Sequence, residues 1–180
     1  MSISRIKLKL HFVHNVEPDA EIGQKGAFCK GLHRWTRKNP MRPLVGVAII
    51  VVKDAKILLG RRLGSHGSGT WQFPGGHLEF KESIEDCAKR ELFEETGLKI
   101  RNLRFGPYTN DIFEAEEKHY ITIFVIAEYD SGVLTVKEPK KCDRWDWFSW
   151  SQLPEPKFLP ILNLQKQNFN LNDRLTKTPL

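Results

Sequence analysis

Residues 83–97 place carboxylates on the side of a helix that its apolar residues turn toward the core, and few folds accommodate that arrangement. The segment reads as one helix, opened by the cap Ser83-x-x-Asp86 and ended by Gly97. At about 100° per residue, Ile84, Cys87 and Ala88 share one stripe. Glu91, Glu94 and Glu95 extend that stripe through the last two turns, because offsets of three and four bring side chains together. Three carboxylates crowded on a core-directed face repel one another and lose hydration. A hard divalent cation with oxygen ligands relieves both problems. A merely solvated acidic face would set the acids opposite the apolar stripe, and here the two coincide.

The chain has 180 residues, enough for one domain with a substantial core and an appendage. Its three cysteines, Cys29, Cys87 and Cys142, are odd in number and lack zinc-like spacing, which predicts free thiols in a reducing compartment such as the cytoplasm. The longest apolar run, Leu44–Val52, is strand-sized and far short of the roughly 20 residues that cross a bilayer. No membrane role is expected. A net charge of +6 raises the question of nucleic acid, but residues 1–40 hold eight Lys/Arg against three acids, whereas residues 41–180 hold 20 against 19. Basicity confined to the leader argues against a nucleic-acid polymer as partner, since a binder carries its basic stripe on the folded domain.

Along the chain, Ile6 to Phe12 alternates with basic residues as a short strand would, and the remainder of residues 1–40 has no clear period. Leu44–Val52 reads as a buried strand with a hairpin partner, Lys56–Arg61, across Asp54-Ala55. A Gly/Ser-rich loop over residues 64–70 leads to Trp71–Phe73 and a Pro74-Gly75-Gly76 turn. After the helix come a strong strand, Tyr120–Tyr129, and a strand over Arg144–Trp150 with both faces apolar. A last helix, Phe158–Phe169, shows spacing at Leu159 and Leu162, with Pro160 in its first turn. Strands on both sides of a central helix indicate an α/β sandwich.

The helix and its preceding loop together read Gly76, Glu82, Arg90-Glu91-Leu92, Glu94-Glu95 and Gly97-Leu98, nine typed positions across residues 76–98. This pattern resembles the complete Nudix box. Leu58-Leu59-Gly60-Arg61-Arg62, Pro74 to Phe80, Glu138-Pro139-Lys140-Lys141-Cys142 and Trp145-Asp146-Trp147 are similar to the 8-oxo-dGTP diphosphatase branch, the nucleotide triphosphate diphosphatases. The resemblance implies an α/β/α sandwich with a mixed central sheet, the box loop-helix and a C-terminal helix. It implies a hydrolase domain over residues 41–172, between an extension at 1–40 and a tail at 173–180. It also implies hydrolysis of a diphosphate linked to another group, with magnesium or manganese, and a homodimer like many similar proteins.

The residues agree with that chemistry. A phosphate anhydride repels an incoming water, so its hydrolysis requires charge neutralisation and alignment. Glu91 and Glu95, one turn apart, suit a cation that bridges phosphates, with Glu94 holding a second cation or its water and Gly75 lending a backbone carbonyl. Arg90 positions a ligand carboxylate, and Glu82 braces the loop. Either Glu94 or Glu138 is the expected general base; Lys140 stands where some relatives have a second Glu. Arg62 would aim its planar fork at a phosphate, with Arg61 facing away. His77 and Gly76 would meet the leaving phosphates, and Phe73, Trp145, Trp147 and Phe158 are candidates for stacking on a base.

The favoured substrates are oxidised or ordinary purine deoxynucleoside triphosphates, cleaved to monophosphate and pyrophosphate. The alternatives keep the chemistry on a prenyl diphosphate, nucleotide sugar or dinucleoside polyphosphate. A regulatory module with a dead box is the rival outside catalysis, and the intact set of box glutamates disfavours it.

Overall fold

The structure is a computed structural model and describes residues 41–64 and 66–171. The readings made for residues 1–40, including Cys29 and the short strand, and for the tail at 173–180 lie outside the described residues.

Alternation of apolar side chains organises the centre of the molecule. In β1 (Leu44–Lys53), Val47, Ile49 and Val51 face one way while Ala48 and Ile50 face the other. β2 (Lys56–Arg62) turns back antiparallel across Asp54 and Ala55, both with positive φ, as a two-residue hairpin turn requires. β6 (Lys118–Ser131) lies parallel to β1, so its Val125 and Ala127 join the first face and Phe124 the second. β3 (Trp71–Gln72) and β5 (Lys99–Phe113) occupy the two ends of the path β3-β2-β1-β6-β5, while β4 (Gly75–His77) pairs with β1 and β7 (Cys142–Ser149) with β2. The sheet is therefore mixed.

A helix covers each face. α1 (Ile84–Thr96) buries Cys87, Ala88 and Leu92 against the Val47 face. α2 (Leu159–Lys166) buries Ile161 and Leu164 against the Ile50 face. Burial of one such Leu or Ile side chain stabilises by about 1.5–3 kcal/mol, so each helix is fixed mainly by two or three residues. The α/β/α sandwich expected from the sequence is the fold observed. The cap at Ser83, whose hydroxyl accepts from the Asp86 amide, and the left-handed exit at Gly97 are also as expected.

Four details differ. The Pro74-Gly75-Gly76 segment is more than a turn: Gly75 and Gly76 enter β4 and pair with Ala48 and Val47. β5 escapes the sequence pattern, because register shifts at three places along it and Gly106-Pro107 within it interrupt the alternation. In α2 the buried stripe is Ile161 and Leu164, whereas Leu162 is exposed. Glu94 is not on the core-directed face: its side chain is 56% exposed, against 16% for Glu91. Glu94 and Glu95 stand about 100° apart around the axis, and α1 meets the sheet through Leu92 and Glu95, so Glu94 is rotated into solvent.

Candidate active site

Where the C-terminal half of α1 approaches β4, the chain opens a cleft of about 440 Å³ that continues across the α2 face of the sheet. Glu91, Glu95, Gly75, Gly76 and His77 line one end. Phe73, Phe113, Tyr120 and Phe158 line the rest, which meets the acidic end where His77 and Tyr120 touch, and Arg62, Gln72 and Lys141 also border the cavity.

The acidic end is built from a single stretch of chain. Glu95 is buried and its Oε2 accepts the Gly75 amide at 3.0 Å. Burial pushes the Glu95 carboxyl up to about 8, opposed by that amide and reinforced by the charges of Glu91 and Glu138. The group is thus held ready for a counter-charge. Gly75 has φ 150°, and a Cβ there would lie 2.1 Å from the Val47 carbonyl oxygen. At Gly76 a Cβ would lie 2.4 Å from the carboxylate atoms of Glu91. Both glycines are required for the strand to pass this close to the helix.

Arg90 ties the helix to its loop. Its Nε donates to Glu82 Oε1 at 2.7 Å and Nη2 to Glu82 Oε2 at 2.9 Å, while Nη1 donates to Glu91 at 2.7 Å and to Glu94 at 3.3 Å. Nη2 also reaches the His77 carbonyl at 3.2 Å. The Arg90 hydrogen bonds hold Glu82 down to about 2. Glu82 thus braces the loop, and Arg90 orients Glu91. Among the described residues, no three His, Cys, Asp or Glu side chains converge as a ready-made cation cage. Glu91, Glu94 and Glu95 rest instead on Arg90 and the Gly75 amide. The donor set nevertheless fits a hard cation: a buried carboxylate with a raised pKa and a second carboxylate against a glycine-lined wall.

Arg62 sits at the end of β2 and lines the cleft. Its Nε donates to the His66 carbonyl at 2.8 Å, Nη1 donates to Gln72 Oε1, and its guanidinium lies 4.3 Å from the Phe158 ring centroid. Desolvation lowers its pKa from the ordinary value. Five donors in a rigid plane leave some free for the cavity after these bonds. Arg61 faces away toward Asp143. His77 Nε2 lies 3.2 Å from Tyr120 Oη.

Two further candidates stand aside from the cavity wall. Glu94 points to solvent, and Glu138 accepts from Lys141 Nζ at 2.7 Å, so that Lys141 rather than Glu138 lines the cleft. Of the aromatic candidates, Phe73 and Phe158 reach the cavity. Trp145 instead packs into the α1-side core, over Gly60, and Trp147 packs against Tyr129. The sequence reading missed Phe113, Tyr120, Thr122 and Lys141. Tyr120 and Thr122 opened a strand already recognised, and strand alternation could have set both on one face. Phe113 ends the strand that the pattern concealed.

The NUDIX domain profile matches residues 42–168. The chain belongs to the Nudix hydrolase family. Within it, the chain is 33% identical over 129 residues to the oxidized purine nucleoside triphosphate hydrolase of Mus musculus, a match covering 67% of this chain and 80% of that protein. It is 30% identical over 151 residues to the NAD-capped RNA hydrolase NudC of Edwardsiella ictaluri, covering 76% of this chain and 56% of NudC. The chain thus spans little more than half the length of that relative. Among solved structures, the MutT Nudix hydrolase from Burkholderia pseudomallei superposes with a TM-score of 0.65 at 28% identity, over 69% of this chain and 98% of that one. A UDP-X diphosphatase gives 0.58 at 26% identity, over 71% and 61%. Nudix hydrolases generally use divalent metal ions, in keeping with the carboxylates found here. Among the described residues no helix is long and apolar enough to cross a membrane.

Proposed function

We propose that this Nudix chain is a magnesium-dependent nucleoside triphosphate diphosphatase, with oxidised or ordinary purine deoxynucleotides as favoured substrates. The observation that carries the reading is the two-ended cleft: carboxylates and glycines at one end, four aromatic rings at the other, and the Arg62 fork at its border. Such a cavity matches a molecule with a polyphosphate at one end and a flat heterocycle at the other.

Glu91 and Glu95 would hold the cation, with Glu94 outside them and Gly75 beside Glu95. The chemistry such a cation supplies is neutralisation of phosphate oxygens and a lower pKa for a bound water. Arg62 orients the phosphate chain, and His77 and Gly76 border its leaving end. Glu94 or Glu138 takes the proton of the attacking water. Its oxygen bonds to the phosphorus nearest the sugar, the bond from that phosphorus to the bridging oxygen breaks, and pyrophosphate leaves. Manganese would substitute for magnesium.

The proposed catalytic domain spans residues 41–172, as a homodimer in the cytoplasm. Free, buried Cys87 and Cys142 suit a reducing compartment. The test is a panel of nucleoside triphosphates, nucleotide sugars, dinucleoside polyphosphates and prenyl diphosphates with magnesium, read by chromatography of the phosphorylated products. Purine deoxynucleoside triphosphates are expected to give the highest kcat/KM. A panel in which a nucleotide sugar, dinucleoside polyphosphate or prenyl diphosphate is turned over and no triphosphate is would transfer the assignment to another Nudix substrate class.

A further inference from the structure

Beneath the aromatic end of the cleft lies a carboxylate that the reaction above does not use. Asp111, on β5, is fully buried and has three hydrogen-bond donors around it. Thr109 Oγ1 and Thr122 Oγ1 both donate to its Oδ2, at 2.8 and 2.6 Å, and Asn163 Nδ2 of α2 donates to its Oδ1 at 2.8 Å. Strand pairing makes this arrangement: Thr109 lies opposite Thr122 and Asp111 opposite Tyr120, so the four side chains share one face. Of the two threonines only Thr122 borders the cavity. Its neighbour across the β1–β6 pair is Gly46, where a Cβ would stand 3.8 Å from Thr122 Oγ1. Glycine there sets no Cβ against the hydroxyl, and Thr122 keeps 7% of its surface accessible.

A hydroxyl has one proton and two lone pairs. The Thr122 proton is directed at Asp111, so the cavity meets lone pairs only. We infer that Asp111, anchored by Thr109 and Asn163, fixes Thr122 as a pure acceptor at the base end, so that the chain selects heterocycles carrying an N–H donor at that position. Asp111 is a positioning residue and Thr122 the specificity-determining contact. Exocyclic amino groups and lactam N–H groups of purines supply such a donor; an unsubstituted purine and a prenyl chain do not. The inference rests on the nucleoside triphosphate reading and sharpens it.

The experiment compares kcat/KM for purine deoxynucleoside triphosphates bearing adenine, guanine, 2-aminopurine or 8-oxoguanine with that for unsubstituted purine. The wild-type chain should prefer at least one donor-bearing base by roughly ten- to a hundredfold, the cost of leaving a buried acceptor unpaired. Thr122→Val should collapse that ratio toward unity, and Thr122→Ser, which keeps the hydroxyl, should retain it. Asp111→Asn brings an NH₂ into the network and should shrink the ratio severalfold. A second readout is free of turnover: by NMR the Thr122 hydroxyl proton should exchange slowly in the wild-type chain and faster in Asp111→Asn. An unchanged ratio in folded Thr122→Val, or a rapidly exchanging wild-type hydroxyl, overturns the inference and leaves the triphosphate reading standing. Failure to hydrolyse any triphosphate brings down both.

Discussion

The two ends of the cleft are made in opposite ways. The acidic end comes from one continuous stretch, Gly75 to Glu95, in which a short strand and a helix are laced by Arg90 and by the Gly75–Glu95 hydrogen bond. The aromatic end draws on β5, β6, the start of α2 and, through Phe73, the link from β3 to β4, with Phe113 stacked on Phe158 at 5.3 Å and Tyr120 edge-on to Phe113 at 6.0 Å. Charge is concentrated at the first end; at the second the rings pack on one another, and the buried Asp111 is held by Thr109, Thr122 and Asn163. Under the proposed function, chemistry common to the diphosphate can therefore be kept while the multiply sourced wall is altered residue by residue.

Removing a carboxylate from the acidic end should have the largest effect. Glu95→Gln is expected to lower kcat on the order of a hundred- to a thousandfold. Its metal-free thermal stability above about pH 8 should rise, since a buried charge is replaced by a neutral group of the same shape. If Glu95→Gln keeps wild-type turnover, the acidic end is not the reacting end. Next come the two base candidates: Glu94→Gln and Glu138→Gln, measured as kcat against pH. The one that removes the base loses about a hundredfold, the lower end of what general-base catalysis contributes, and the other only a few-fold.

Gly76→Ala should weaken magnesium activation by roughly ten- to a hundredfold, because its Cβ would lie 2.4 Å from the Glu91 carboxylate. The titration is activity against magnesium concentration, and an unshifted midpoint would separate Glu91 from the cation. At the aromatic end, Phe158→Ala should raise KM for purine triphosphates by roughly tenfold while kcat changes little, stacking on one ring being worth about 1–3 kcal/mol. Equal losses of kcat and kcat/KM would erase the contrast between the two ends.

The smallest effect is one of pH. The unfolded chain releases the Glu95 proton near the ordinary carboxylate value, whereas the folded, metal-free chain retains it up to about 8. Between those limits the native state binds more protons, so stability falls as pH rises. In chelator, Tm should fall steadily as pH rises across that window. Magnesium, which binds the ionised form, should flatten the slope. Differential scanning calorimetry with and without magnesium from pH 5 to 9 checks the sign.

Residues that line the acidic end were legible in order along the chain: Gly75, Gly76, His77, Glu91 and Glu95 all reach the cavity, as does Arg62 from the strand before them. Their positions follow from helix and strand periods acting over a few residues. Glu94 was drawn onto the wrong side because a stripe of offsets three and four is wider than the line along which α1 touches the sheet. Trp145 and Trp147 looked like stacking residues because an aromatic in a strand reads the same whether its face is covered by a helix or open to a ligand.

By itself, then, the amino-acid order determined most of the strands, the capped acidic helix and the glycine pair beside it, which depend on contacts between near neighbours, and the family, which a nine-position pattern carries. Only the tertiary structure decided which of three box carboxylates is buried, which rings close the far wall, and that Asp111 lies behind Thr122. Those outcomes depend on strand register across β5 and β6 and on the docking of α2. They join residues from 11 to 52 positions apart, across turns over which local periodicity carries no information.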